Sequence, residues 1–554
     1  MAVTAVQAAA GTLPSSTVRF DECCSLLSSL PGPHLQGSFT AAIGSGLAPS
    51  EGPDSRWRLR WRERIGGYLE RRPVRSPVSC SADRQWGAAV GESLYQSSLI
   101  LPNAGTLTLA VPQVECLEVT GGHALEGRVR ISGAKNSALA VLAGALCCEE
   151  PVVLRMVPDL HDIKRMKQVL ESVGATVKRG HDGSDSCVLV DASELTSVEP
   201  CPDVVRKLRA SFFVLGPLLA RMGKAVVPLP GGCNIGARPI DLHTNGLRAL
   251  GAEVERKHGK IYAYAKNGRR LVGGHVHMDF PSVGATETII MGAVLADGDT
   301  TITNCAQEPE VRDLADFLNA CGARIRFASN NTICIQGVKR LHSAEFTVIP
   351  DRIEAGTFLT AAAITRSTIS MSPVYPTHLA AVISKLQAIG CRIGPDMELG
   401  PHSVKIECPP NLRSSEINTL PFPGFPTDMQ PQLMALLTTC SGTSHITENV
   451  FESRMRHAEE LQKLGAKIIV KGKEARVYGQ DGGSSLYGVE VEATDLRAGA
   501  ALVLAGLAAE GRTHIQGLHH VDRGYEQFDK KLRGLGAHIR RLPCTPVELQ
   551  DVLV

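Results

Sequence analysis

One short phrase recurs six times in this 554-residue chain, and it limits the possible folds more than any other feature. It reads GATV, GAEV, GARI, GCRI, GAKI and GAHI, with its glycines at Gly174, Gly251, Gly322, Gly390, Gly465 and Gly536. Each copy follows an apolar run, so the glycine suits the left-handed residue that ends a helix, and the β-branched residue then opens a strand. A second phrase recurs six times out of phase with the first, opening at Ser132, Arg209, Pro281, Pro350, Pro426 and Thr494. There a polar or capping residue precedes an Ala/Leu/Val run such as Leu139–Leu146 or Ala500–Ala508, which is the pattern of a helix start. One unit thus holds two helices and several strands. Units of about seventy residues exceed the ~20–50 residues of solenoid repeats. The expectation is a compact α/β fold of six units whose helices, apolar nearly all round, are buried.

The repeats begin only after residue 113, and composition changes at the same point. Residues 1–113 contain no lysine, the first being Lys135, and they hold all three tryptophans, Trp57, Trp61 and Trp86. Arginine and serine with few acids, and no surviving period, is the character of an organellar transit peptide, although the acids between 51 and 92 weaken it. Over the whole chain the balance is even: net charge +2 and 21% charged residues exclude an acidic disordered protein and give no global signal for nucleic acid. The longest apolar runs, such as Ala498–Ala509, fall short of the ~18 residues of a membrane helix. Sixteen cysteines without a CxxC pair, in a chain this long, read as reduced thiols.

The helix starts align Lys135, Arg209, Ser282, Asp351, Asp428 and Arg497. Free N–H groups and the helix dipole make such starts anion-binding, and the lysine in Gly133-Ala134-Lys135-Asn136 suits a phosphate or carboxylate as well as it suits a solvated first turn. Neither a Walker loop nor a GxGxxG fingerprint is present. The most distinctive loop is Leu229-Pro-Gly-Gly-Cys233-Asn-Ile-Gly-Ala-Arg238-Pro239. Its glycines allow close backbone approach or lid motion, and Arg238 favours a thiolate. Most reduced cysteines are small buried hydrophobes, and no histidine stands close in sequence to pair with Cys233. Asp428 by itself reads as the N-cap of a helix over Met429–Leu437, and Asp351 and Asp495 as caps or interface residues.

The loop LPGGCNIGARPIDLH, with SGAKNSAL before it and PTDMQ, ENVFESRMRH and HHVDRGYE after it, closely resembles the UDP-N-acetylglucosamine 1-carboxyvinyltransferase family of the EPSP synthase-like superfamily. The resemblance runs from about 115 to 541 and takes in all six units. It implies an inverted (inside-out) α/β barrel of two domains, 135–349 and 114–134 plus 350–545, flanked by the 1–113 extension and a 546–554 tail. It implies transfer of the enolpyruvyl group of phosphoenolpyruvate to the 3′-hydroxyl of UDP-N-acetylglucosamine, with neither metal nor cofactor. Cys233 would then protonate the methylene carbon, and Asp428 would be the base. Lys135, Arg238 and Arg523 would hold phosphate and carboxylate. Asn136, Arg209, Arg238, Pro239, Ile240, Asp241, Leu242, Ser282, Val283 and Val450 would line the nucleotide-sugar site, with Arg454 and Arg497 as cleft arginines. Phe280-Pro281 stands before Ser282 where some members carry a lysine, which takes away a side-chain contact to the diphosphate there and leaves the backbone contact. A shikimate-pathway enolpyruvyl transferase of the same fold is the alternative, and it would not need the PGGCxxGARP loop. The expectation is a monomer binding no nucleic acid or membrane, in the plastid stroma if residues 1–113 are an import signal and otherwise cytoplasmic.

Overall fold

A computed structural model describes residues 114–180, 183–184, 186–231, 235–236, 238–266, 268–483 and 485–544. The extension 1–113, the 546–554 tail and Cys233 lie outside these residues.

Six helices rich in Ala, Leu, Ile and small residues lie inside the molecule. They are Lys135–Gly144, Leu215–Met222 (entered through the 3-10 turn Arg209–Val214), Val283–Ala293, Arg352–Ile364, Gln430–Leu437 and Leu496–Ala508. Such helices have no polar face to offer water, and nearly every residue in them is buried. A second set, including His161–Glu171, Asp241–Ala249, Pro309–Ala320 and Ala380–Ile389, buries only one face. Among the described residues six small sheets carry the strands, one of three strands and five of four. Their alternating buried and exposed residues mark one inner and one solvated face. Helices inside and sheets outside reverse the usual α/β barrel.

Each four-stranded sheet repeats one topology: a parallel edge pair followed by two antiparallel neighbours, as in Glu416–Asn418, Thr443–Thr447, Glu474–Tyr478 and Lys467–Lys471. Two strands leave their place in sequence to complete distant sheets. Val114–Thr120 inserts between Arg512–Gln516 and His538–Cys544, and Glu126–Arg130 pairs in parallel with Thr368–Ser372. Conversely, Glu345–Thr347 returns to pair with Val152–Arg155, so the first three units close on themselves. The buried apolar residues fall into two clusters, one spanning 134–348 and one spanning 117–131 with 353–539. The chain passes between the clusters twice, near 132 and 350. There Gly133 bridges Pro350, Ala134 N donates to Ile349 O and Asp351 N donates to Ser132 O.

The six phrase glycines sit where the sequence put them. Gly174, Gly251, Gly322, Gly390, Gly465 and Gly536 all have positive φ, between 80° and 126°, after a helix and before a strand. A side chain at Gly465 would also strike Ser485 O and the Tyr487 ring.

Candidate active site

The inner helix starts converge with residues from the chain's last third into a cluster of buried charge. Asp428 lies in the 3-10 turn Thr427–Met429 that leads into Gln430–Leu437. Its carboxylate caps nothing. Instead Oδ1 accepts a 2.9 Å hydrogen bond from Arg454 Nη2, and Oδ2 one of 2.9 Å from Arg497 Nη2. The N-cap reading of Asp428 is therefore corrected: two guanidiniums 2% and 3% exposed outcompete a backbone N–H for the negative charge. Burial works against the Asp428 charge, but Arg497 and Arg454 outweigh it and hold the carboxyl far below the usual range.

Arg497 is the second residue of its helix, whose start Asp495 caps at Arg497 N (2.8 Å) and Ala498 N (3.2 Å). The Arg497 guanidinium lies against Tyr525, whose hydroxyl is bonded to Thr357 and Gln432. This buried network fixes the arginine from behind.

Lys135 opens its helix and is 8% exposed. Its ammonium stands 3.5 Å from Asp162, a carboxylate on the facing His161–Glu171 helix, and Arg523 Nε reaches the same group at 3.1 Å. Burial pushes the lysine below its ordinary range, Asp162 opposes that, and Arg497 and Arg523 add to the lowering. Lys135, Asp428, Arg454, Arg497 and Arg523 are thus brought together, with Asp162 tying cations from both ends of the chain. Asp162 escaped the sequence reading, because a single acid in the first turn of HDIKR looks like any favourable helix-start charge. Asn136 is half-buried in the same first turn as Lys135.

The glycine-rich segment is held separately. Arg209 donates from Nη2 to Arg238 O, and the Arg238 guanidinium stacks 5.5 Å from the Phe451 ring. Ser453 N donates to Ile235 O at 3.1 Å. Gly236, at φ 132°, passes so near Glu452 that a Cβ would lie 2.4 Å from its carboxylate. Ile235, Gly236 and Arg238 therefore lie on the 448–454 stretch, where Val450 N is itself bonded to Glu448. Pro239 and Asp241 are exposed, Ile240 is buried, and Leu242 is half-buried against the first apolar cluster at the start of Asp241–Ala249. Ser282 caps Val283–Ala293 through Ala285 N, which leaves its backbone at the helix start as expected. His243 packs between Phe212 and Thr288. Burial first, then Arg209 and Arg238, push it down to about 3, so it stays neutral and is no acid at working pH. Among the described residues no cluster of His, Cys, Asp or Glu could hold a metal ion, and no helix is long and apolar enough to cross a membrane.

Comparison with known proteins follows the same boundaries. The family model for EPSP synthase (3-phosphoshikimate 1-carboxyvinyltransferase) matches residues 119–532. UDP-N-acetylglucosamine 1-carboxyvinyltransferase from Nostoc sp. is 53% identical over 78% of this chain and 95% of its own length. The enzyme of the same name from Synechocystis sp. is 51% identical over 77% and 95%. Among solved structures, the enolpyruvyl transferase NikO from Streptomyces tendae is similar with a TM-score of 0.69 and 29% identity, over 78% of this chain and all of that one. EPSP synthase from Acinetobacter baumannii, 19% identical with a TM-score of 0.60 over 77% of this chain and all of its own, shares the fold.

Proposed function

Because the chain belongs to the EPSP synthase family and, within it, to the UDP-N-acetylglucosamine 1-carboxyvinyltransferases, we propose that it transfers the enolpyruvyl group of phosphoenolpyruvate to the 3′-hydroxyl of UDP-N-acetylglucosamine. Phosphate leaves, and the product is the first committed precursor of peptidoglycan. The observation that carries this reading is identity above half with enzymes of that name over 95% of their length. The buried cation cluster supports it independently, since phosphoenolpyruvate carries phosphate and carboxylate charges that fixed cations can clamp.

The roles follow from the chemistry. Addition needs a proton on the methylene carbon while the sugar hydroxyl oxygen attacks C2. Elimination then removes a proton from the methyl carbon, expels phosphate and returns the double bond. Cys233, five residues before the cationic Arg238 in sequence, supplies the proton. Lys135, Arg238 and Arg523 hold the anionic groups, with Arg454 and Arg497 completing the positive wall. Asp428 takes the hydroxyl proton. A carboxylate held by two arginines is always ionised but is a weak acceptor, so the sugar hydroxyl has to displace one guanidinium contact when it arrives. Lys135 and Arg523 must likewise exchange Asp162 for substrate anions. Asn136, Arg209, the 238–242 stretch, Ser282, Val283 and Val450 contact the nucleotide sugar.

The three-unit halves, 135–349 and 114–134 plus 350–545, act as two domains that close on the substrates, and the separate apolar clusters support that division. The enzyme works as a monomer. Residues 1–113 direct it to a plastid, a reading supported by their Arg/Ser-rich, lysine-free composition and by the Nostoc and Synechocystis relatives of the rest. A fluorescent fusion of residues 1–113 checks that assignment, and a cytosolic signal would reject it.

Phosphate release from phosphoenolpyruvate tests the reaction. It is expected with UDP-N-acetylglucosamine as acceptor and not with shikimate 3-phosphate. Release with shikimate 3-phosphate alone, or with neither, would overturn the reading.

A further inference from the structure

Outside the charged cluster, two thiols face each other across a strand pair. Cys391 follows Gly390 at the end of Ala380–Ile389 and directly precedes the strand Arg392–Gly394. Cys408 directly follows the strand Val404–Glu407. The antiparallel register pairs Ile393 with Ile406 and Arg392 with Glu407, so its next step sets Cys391 opposite Cys408. Their amides bond elsewhere, Cys391 N to Leu386 O at 3.0 Å and Cys408 N to Ser367 O at 3.2 Å. Facing residues that exchange no backbone hydrogen bond have Cα atoms about 4.5 Å apart, within the ~4.4–6.8 Å that a disulfide spans. The sulfur atoms already lie 3.6 Å apart.

Access and charge favour this pair over the other close thiols. Cys408 is partly exposed, whereas Cys147, Cys148 and Cys321 are each 0% exposed and closed to any reagent. Arg366 spans the ground beside the pair, donating from Nε to Pro410 O at 3.1 Å and from Nη2 to Thr439 O. A guanidinium anchored there stabilises a thiolate, the reactive form in exchange.

We propose that Cys391 and Cys408 are a redox modification site, closing reversibly into a disulfide at the expense of a small disulfide such as oxidised glutathione. Cys408, the more exposed of the two, donates its S–H toward Cys391; as that proton leaves, Cys408 Sγ attacks one sulfur of the oxidant, forming a mixed disulfide and releasing one glutathione thiolate, which takes up the proton. Cys391 sulfur then attacks Cys408 Sγ, breaks the mixed disulfide and releases the second glutathione thiolate, which takes up the Cys391 proton. Two protein thiols are oxidised and one glutathione disulfide is reduced to two thiols. The link closes the 392–407 hairpin and limits the unfolded chain, so it stabilises the second half of the molecule. It touches no residue of the Lys135–Asp428 cluster.

The full chain, purified reduced, is incubated with oxidised glutathione, digested without reductant and analysed by mass spectrometry. The expected product is a Cys391 peptide joined to a Cys408 peptide, two hydrogens lighter than the reduced pair and separated by dithiothreitol. The unfolding temperature should rise by about 5 °C on oxidation, and Cys408→Ser should abolish the rise. Glutathione retained on Cys408 with Cys391 free, a link to Cys440, or an unchanged unfolding temperature would overturn the proposal. Peptide identity and melting are read rather than turnover, so glutathionylation of Cys233 does not affect the outcome, nor does a failure of the proposed reaction.

Discussion

Asp428 carries one negative charge that Arg454 and Arg497 both use, each through a 2.9 Å contact. Removing that charge leaves two buried guanidiniums uncompensated, so Asp428→Asn should destabilise the fold by about 3 kcal/mol in urea denaturation at neutral pH. The carboxyl has a lower proton affinity folded than unfolded. Its contribution is therefore complete above the ordinary carboxylate range and is lost as pH falls toward its depressed folded value, so variant and wild-type stabilities should converge in acid. Turnover should fall by ~10²–10⁴, the usual loss for a general base. Near-normal turnover with the same stability loss would leave Asp428 as an ion-pair partner alone. Cys233 is tested by labelling. A small anionic epoxide should alkylate it fastest of the sixteen thiols, faster still with UDP-N-acetylglucosamine present, and Cys233→Ser should abolish labelling and cut turnover. Labelling spread over several cysteines would reduce the loop to a lid.

At the scale of the element, the starts of the inner helices differ in what closes them. Asp495 serves one helix. Asp351 serves two: Oδ1 accepts from Ile353 N at 2.8 Å and Glu354 N at 2.9 Å at its own helix start, while Oδ2 accepts from Lys135 N at 3.0 Å at another. One cap is worth roughly 1 kcal/mol, so Asp495→Ala should cost about that and Asp351→Ala about twice as much. Asp351→Asn should recover most of the difference, since an amide oxygen still accepts. Equal costs for the two alanine variants, measured by chemical denaturation, would show that the Lys135 contact adds nothing. The same region carries a second crossing device. Glu354 accepts from Ser132 N and from Lys531, and burial lifts its carboxyl to about 7 against the pull of that lysine.

For the whole molecule, the strand Val114–Thr120 is the first described element and is paired on both sides. A chain of residues 114–554 should therefore fold and turn over substrate as the full chain does, because neither a repeat nor an apolar period lies before it. Loss of activity or of the cooperative unfolding transition in that truncation would give residues 1–113 a structural role. Asp162 and Glu526 act at this scale too. Asp162 holds Lys135 from one apolar cluster and Arg523 from the other, and Glu526 accepts from Ser132 Oγ at 2.5 Å and from Asp159 N at 2.6 Å.

The repeat, read without coordinates, was enough for the count of units, the glycine-ended helices and the buried character of the inner ones. Those features are local: positive φ, helix period and apolar content are written in neighbouring residues. The motifs likewise marked Lys135, Asp428, Arg238 and Arg497, because helix starts and glycine-rich loops have short signatures. Partnerships between residues on separate elements have no such signature. Only the tertiary structure set Asp162 between Lys135 and Arg523, turned Asp428 from its own helix start to two arginines, and brought Cys391 opposite Cys408. Only it inserted Val114–Thr120 into a sheet made by the last unit. The physical reason is the same throughout: a buried charge takes whichever partner the closed fold brings within reach, and a strand edge pairs with the edge that the packed helices set beside it.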